Sequence, residues 1–229
     1  MDWRKFWNEK AQSSSNLNEQ VGRVLNNSNA GDVKIISNIV DHIDSYLNIN
    51  KNDVILDVCC GNALITKMLA SKCSKITGID ISEQLIKLAE KDCPPNLNLI
   101  KGDALNLSET VNGNFDKILL YFSFQYFDTF DKGKKVISEM NKLLKPGGTI
   151  FLGDVTDYSK RWKFYKTTSQ KISHIIKRIL NKNNMGKFWK KDELDRICNE
   201  FSLNGKYLNQ PQHLPYAWYR FDYLINKLK

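Results

Sequence analysis

From Val54 to Asp154 the chain alternates short apolar runs with segments of helical spacing, an order that few folds accept. Val54–Val58, Lys75–Ile79, Leu97–Ile100, Phe115–Phe122 and Thr149–Gly153 read as strands. Ala63–Ser71, the stretch from Ser82 through Glu90, and Lys134–Leu144 read as helices between them. Ser82 stands where its hydroxyl can accept an orphan amide as N-cap. Lys145-Pro146-Gly147-Gly148 is expected to end the third helix in a turn, because Pro and Gly both break the pattern. Continuously apolar strands separated by helices imply a parallel sheet covered on both faces, an α/β fold. Ligands of such sheets bind beyond the carboxyl ends of the strands, at the topological switch point. Residues just after the first four strands are therefore the first candidates for a site.

The flanks carry no internal repeat and no evident linker, so residues 1–229 are read as a single domain. Residues 1–50 would form an N-terminal helical cap, with a helix from about Val33 to Leu47. Residues 51–154 would form the core and 155–190 a basic helical insertion. Residues 191–229 would add a helix near 191–201 and strands ending in the run Tyr219–Ile225. The composition, 41% hydrophobic and 26% charged over 229 residues, suits one domain with a sizeable core. No run approaches the roughly 20 apolar residues that span a bilayer. The start, Met1-Asp2-Trp3-Arg4-Lys5-Phe6-Trp7, lacks the apolar stretch of a secretory signal, so a cytoplasmic protein is expected. The five cysteines form no Cys-x-x-Cys pair, and no metal site is expected.

Net charge is +9, but residues 158–191 hold 11 Lys or Arg and no Asp or Glu, leaving 23 basic against 25 acidic residues elsewhere. The positive charge thus belongs to one segment. Within it, 159–180 places Trp162, Tyr165, Ile172, Ile175, Ile176 and Ile179 at helical spacings among Lys and Arg. Three readings of this amphipathic helix stay open: a lid over the acceptor site, a membrane-surface contact, or an ordinary packed helix.

Four signals carry chemistry. Asp57-Val58-Cys59-Cys60-Gly61-Asn62-Ala63 runs from a strand through a small-residue turn into a helix, where backbone approaches a ligand closely and free amides meet anions. Asp80 follows the second strand, about 20 residues on, where a carboxylate can accept both hydroxyls of a ribose. Asp103 follows the third strand and can accept an adenine amino group, while Ala104 offers a backbone amide. The fourth strand ends in the aromatic run Tyr121-Phe122-Ser123-Phe124-Gln125-Tyr126-Phe127, whose rings suit a sulfonium cation.

Together with Leu143-Leu144-Lys145-Pro146-Gly147-Gly148, these signals resemble the class I S-adenosylmethionine-dependent methyltransferases over residues 33–154. The resemblance implies a Rossmann-like, doubly wound, mostly parallel seven-stranded sheet with helices on both faces and an antiparallel last strand. It implies S-adenosylmethionine as cofactor, bordered by Asp57, Cys59 and Gly61, with Asp80 on the ribose, Ile81 and Ala104 flanking adenine, and Asp103 on its amino group. Tyr121 would meet the methionine end. Cys59 stands where the family's first glycine is usual and Ala63 where its third is; the former resembles a variant of quinone-biosynthesis methyltransferases. The flanks, Phe6-Trp7-Asn8-Glu9-Lys10 with Gln20-Val21-Gly22-Arg23 and Leu214-Pro215-Tyr216-Ala217-Trp218-Tyr219-Arg220-Phe221-Asp222, resemble uncharacterised members linked to bacterial surface-polysaccharide clusters.

Methyl transfer needs alignment first and a base only if the nucleophile must lose a proton. His213, in the loop Gln210-Pro211-Gln212-His213-Leu214-Pro215, is the candidate base; His42 and His174 are the other histidines. No Asp/Asn-Pro-Pro-aromatic motif follows the fourth strand and no Pro-Cys pair occurs, which argues against nucleic-acid bases as acceptors and for a small molecule such as a sugar or biosynthetic intermediate. Two rivals remain: a non-catalytic S-adenosylmethionine- or RNA-binding module, and a nicotinamide-dependent oxidoreductase.

Overall fold

The computed structural model describes residues 2–23, 29–180 and 185–229, apart from the side chains of 29–33 and 178. Part of the basic insertion, 181–184, lies outside the described residues. The strands are β1 (Val54–Val58), β2 (Lys75–Asp80), β3 (Leu97–Lys101), β4 (Phe115–Tyr121), β5 (Leu144–Thr156), β6 (Leu203–Asn209) and β7 (Arg220–Lys227). The helices are α1 (Trp3–Gln12), α2 (Leu17–Gln20), α3 (Asn29–Leu47), α4 (Leu64–Ala70), α5 (Glu83–Ala89), α6 (Leu107–Thr110), α7 (Phe130–Leu143), α8 (Arg161–Phe164), α9 (Thr168–Ile179) and α10 (Lys191–Glu200).

All seven strands form one sheet in the order β3-β2-β1-β4-β5-β7-β6. The first five are mutually parallel, and β7 runs antiparallel to both β5 and β6. Strand order reverses between β1 and β4, which opens a crevice at their carboxyl ends. Period-two alternation sends neighbouring side chains to opposite faces. Leu56, Ile118, Leu120, Ile150 and Leu152 face α7, α10 and the fully buried Trp189. Ile55, Leu119 and Phe151 face α3 and α4 instead. The central strands β1, β4 and β5 are therefore covered on both faces, which is why they read as apolar runs.

Ser82 caps α5 as its chemistry suggests, with its Oγ accepting from the Leu85 amide at 3.2 Å. Three elements differ from the sequence pattern. α7 begins at Phe130, a turn before Lys134, because the Thr129 hydroxyl accepts the Lys132 amide at 3.2 Å. Lys145-Pro146-Gly147-Gly148 does end that helix, yet it is already part of β5 rather than a free turn. Phe115 pairs with Leu144 across a register shift, so the strand absorbs the break as a bulge. The segment 159–180 is also not one helix: α8 and α9 are separated at Tyr165–Thr167.

Gly133, inside α7, sits against the Trp189 ring; an added Cβ would overlap the indole, with Cζ2 only 2.7 Å away. Alanine normally favours a helix over glycine by about 1 kcal/mol. Overpacking a rigid core costs about 1–3 kcal/mol, and Trp189 has no exposed edge toward which to move. Gly133→Ala should therefore lower the thermal unfolding midpoint by several degrees, reversing the helix-propensity expectation; a scanning calorimetry trace checks it.

Candidate active site

At the switch point, β1 delivers Asp57 into the protein interior, where its carboxylate accepts the Thr66 hydroxyl at 2.5 Å. The turn that follows is tight despite its missing glycines. Cys59, Gly61 and Ala63 all take left-handed backbone, with φ of 61°, 60° and 58°. Only glycine adopts this conformation freely, so Cys59 and Ala63 hold it at a cost of about 1–2 kcal/mol each. Both are small, and the strain brings the turn's backbone to the crevice. Gly61 has a further reason to be glycine, since a Cβ there would meet Val21 Cγ1 at 2.8 Å.

Asp80, at the end of β2, ties this turn to the next helix. Its Oδ2 accepts the Gly61 amide and its Oδ1 the Ser82 amide, each at 2.9 Å. Asp103 follows β3 and accepts the Leu105 amide through Oδ1 at 2.9 Å, which fixes the carboxyl at the N-terminus of a short 3-10 turn.

One cavity of about 380 Å³ lies over these residues. Asp57, Cys59, Gly61, Asp80, Ile81, Asp103, Ala104 and Tyr121, the eight residues expected from sequence to border the cofactor, all line it. The N-terminal segment forms the opposite wall. Trp3 and Trp7 pack on Tyr126 with ring centroids 4.5 and 5.4 Å away. Asn8 Oδ1 accepts the Ser82 hydroxyl at 2.7 Å, and the Asn62 amide donates to Leu17 carbonyl and Gln20 Oε1 at 2.8 and 3.0 Å. Residues 2–23 thus clamp both cofactor-facing turns.

Arg23 is a site residue that motif reading missed. It is only 8% exposed and lines the cavity beside Phe122, whose ring centroid lies 5.6 Å from the guanidinium. Its Nε is buried without a hydrogen-bond partner. The Trp3 Nε1, also on the cavity wall, is likewise buried and unpaired. Two unsatisfied donors in one cavity mark places where a ligand acceptor belongs. The flank motif Gln20-Val21-Gly22-Arg23 contains it but assigns it no role, because that role depends on the N-terminal segment folding back over β1.

Burial governs the site's titration. It pushes Asp57 up to about 7, opposed by the Thr66 hydrogen bond and the Arg23 charge. It pushes Asp80 up to about 6, opposed by the Ser82, Gly61 and Ile81 amides. Burial also raises the Cys59 and Cys60 thiols and the Tyr121 hydroxyl well above their ordinary ranges, so all three stay protonated at neutral pH.

The expected base is elsewhere. His213 is exposed and does not border the cavity. His42 is buried, its Nε2 2.6 Å from Asp222 Oδ2. His174 is buried on α9, its ring stacked 4.2 Å from Tyr165. Behind Tyr121, Asp222 Oδ1 also accepts the Asp154 amide and the Gln210 side chain at 2.7 and 2.8 Å, and Arg220 donates to the Asp154 carbonyl at 2.6 Å. This network braces the ends of β4, β5 and β7. Of the three readings of 159–180, the lid finds no support in this cavity: no described residue of that segment lines it, and the N-terminal segment forms its wall.

Comparison with known proteins points the same way. A family described as a methyltransferase domain matches residues 55–148. The demethylmenaquinone methyltransferase of Staphylococcus epidermidis is 31% identical over 115 residues, covering 48% of this chain and 46% of that protein. The malonyl-[acyl-carrier protein] O-methyltransferase of Priestia megaterium is 27% identical over 157 residues, covering 66% and 54%. The chain spans about half the length of the curated relatives it matches. Among solved structures, N-methyltransferase NodS of Bradyrhizobium japonicum with S-adenosyl-L-homocysteine matches at a TM-score of 0.68 with 16% identity, over 100% of both chains. Magnesium protoporphyrin IX methyltransferase of Synechocystis PCC 6803 with bound S-adenosylmethionine matches at 0.65 with 12% identity, over 99% and 98%. The matched stretch spans β1 to β4, which carry the crevice and most of its lining, so residues 55–148 resemble a methyltransferase domain set on the fold of the S-adenosylmethionine-dependent methyltransferases.

Proposed function

We propose that the protein transfers the methyl group of S-adenosylmethionine to a small-molecule acceptor, and that the shared cavity at the β1–β4 crevice is where it does so. The observation that carries this reading is the convergence of Asp57, Asp80 and Asp103 with Arg23, whose Nε is buried without a partner, on one cavity. Asp80, already fixed by two amides, presents its remaining lone pairs to a ribose. Asp103 takes the adenine amino group between Ile81 and Ala104. Arg23 takes the carboxylate of the methionine part, a bidentate geometry that suits guanidinium. The bound cofactor supplies the electrophilic methyl. The chain's own contribution is alignment and exclusion of water by Trp3, Trp7, Phe122 and Tyr126, an effect worth up to about 7–11 kcal/mol of barrier.

The acceptor is a biosynthetic intermediate with an apolar face to lay against those rings; a sugar is the narrower form of this reading. The substrates after which the relatives are named, a demethylmenaquinone and a carrier-bound malonyl group, support a small-molecule or carrier-linked acceptor in general. None of the three histidines borders the cavity, so proton removal by His213 is set aside in favour of transfer driven by positioning.

Two binding experiments test the cofactor assignment. Asp80→Asn removes charge-assisted hydrogen bonds worth about 1.5–3 kcal/mol each, so calorimetry should find S-adenosylhomocysteine bound at least ten-fold more weakly, with the far-ultraviolet circular dichroism unchanged. Arg23→Gln should weaken S-adenosylhomocysteine comparably while leaving 5′-methylthioadenosine, which has no carboxylate, unaffected; equal losses for both ligands would remove Arg23 from the carboxylate role.

The pH dependence has a definite sign. Asp80 must be ionised to accept two hydroxyls, and in the free protein it protonates near pH 6. Below that value binding must first expel a proton, so affinity should fall roughly ten-fold per pH unit. Protonation of Asp57 near pH 7 steepens the decline. Affinity for S-adenosylhomocysteine measured from pH 8 to pH 5 should therefore decrease on acidification, and Asp80→Asn should flatten the profile around pH 6.

A further inference from the structure

We propose that α9 is a docking element for an anionic lipid surface. The helix attaches to the rest of the protein by the side that carries His174, which is buried against Tyr165 and Trp162. The opposite side is apolar and uncovered. Ile172, Ile175, Ile176, Ile179 and Leu180 are 53%, 49%, 50%, 75% and 57% exposed. Their spacing, i, i+3, i+4, i+7 and i+8, makes one continuous stripe. A helix of a globular domain ordinarily turns such a stripe inward, so this one faces away from its own core for a reason outside that core.

The surroundings identify the occupant. Residues 158–191 contain 11 Lys or Arg and no Asp or Glu; Lys160, Lys187 and Lys191 pair with Asp157, Glu193 and Asp195 outside that run, whereas Lys163, Lys166, Lys171 and Lys177, beside the stripe, form no salt bridge among the described residues. Lys163, Lys166 and Lys177 are exposed. Trp162, itself 38% exposed, lies near the stripe with Arg161 4.7 Å and Lys171 5.8 Å from its ring. Trp218, 44% exposed, joins this aromatic group through Phe164, stacked at 6.2 Å. An apolar stripe for acyl chains, amphipathic indoles and uncompensated cations at headgroup level are the three components of an interfacial helix. A protein partner would need only a few of these groups, and a second copy of this chain would bring the same positive charge against itself. Among the described residues no helix is long and apolar enough to cross a membrane, so the contact is with the surface.

The inference is independent of the acceptor. Its test is co-sedimentation of the full chain with vesicles of phosphatidylcholine alone and of phosphatidylcholine with phosphatidylglycerol at 70:30. Binding should be at least ten-fold tighter to the anionic vesicles at low salt and weaken as salt is raised. Ile176→Ser with Ile179→Ser, and separately Lys171→Glu with Lys177→Glu, should each reduce that binding at least ten-fold while leaving affinity for S-adenosylhomocysteine unchanged. Failure of the unaltered protein to prefer anionic vesicles overturns the proposal. So does light scattering that shows a dimer which Ile176→Ser with Ile179→Ser converts to monomer, because a second copy would then cover the stripe. Retained cofactor affinity in every variant keeps either result distinct from a failure of the methyltransferase reading.

Discussion

Asp80 is the point at which the two halves of the site are joined. Its carboxylate holds the amide of Gly61, in the turn after β1, and the amide of Ser82, at the start of α5. Without an acceptor there, two buried donors would be orphaned and the turn after β1 would lose its fixed distance from β2. Burying that charge is costly, and the rise of its protonation toward neutrality measures the cost. The two amides offset part of it, and a ligand that donates hydroxyls would offset more. The free protein thus carries a carboxylate better satisfied with ligand than without.

The N-terminal segment completes what the sheet begins. A Rossmann-like sheet leaves its switch-point crevice open toward solvent. Here Asn8, Leu17 and Gln20 bond to groups on the cofactor-facing turns, while Trp3 and Trp7 pack on Tyr126. The polar contacts set the register of the cap and the aromatic ones exclude water beneath it. Because Arg23 arrives with the same segment, closing the crevice and placing a cation in it are one structural event. Phe122, with left-handed backbone at φ 64°, lies between Arg23 and Arg220, the latter 4.6 Å from its ring. The end of β4 is thereby linked to the buried Asp154–Asp222–His42 network.

Much of this was legible in the sequence, for a local reason. Parallel strands covered on both faces show as apolar runs, and the residues that follow each run are placed by topology; Asp80 and Asp103 were found that way, while Asp57 and Tyr121, at the ends of β1 and β4, came with the family resemblance. The Ser82 cap was readable because capping acts within three residues. What escaped depends on distant pairing. His42 meets Asp222 across 180 residues, and nothing local announces it. Arg23 belongs to a flank motif whose sequence gives no sign of what the side chain faces until the chain folds back. Cys59 and Ala63 resembled damaged glycine positions, yet the fold imposes left-handed backbone on them regardless. The isoleucines of α9 gave a correct helical period and no indication of direction, since periodicity says that a face exists and not what it faces. His213 looked chemical by residue type and neighbours, while the loop turns it to solvent.

The central claim is that the crevice between β1 and β4 is built for an S-adenosyl ligand rather than for a dinucleotide, which would use the same strand–turn–helix and the same acid after β2. Parallel calorimetric titrations of the full chain with S-adenosylhomocysteine and with NAD⁺ separate the two directly. The account predicts one site per chain for S-adenosylhomocysteine and no heat of binding for NAD⁺. Saturable binding of NAD⁺ with indifference to S-adenosylhomocysteine would contradict it.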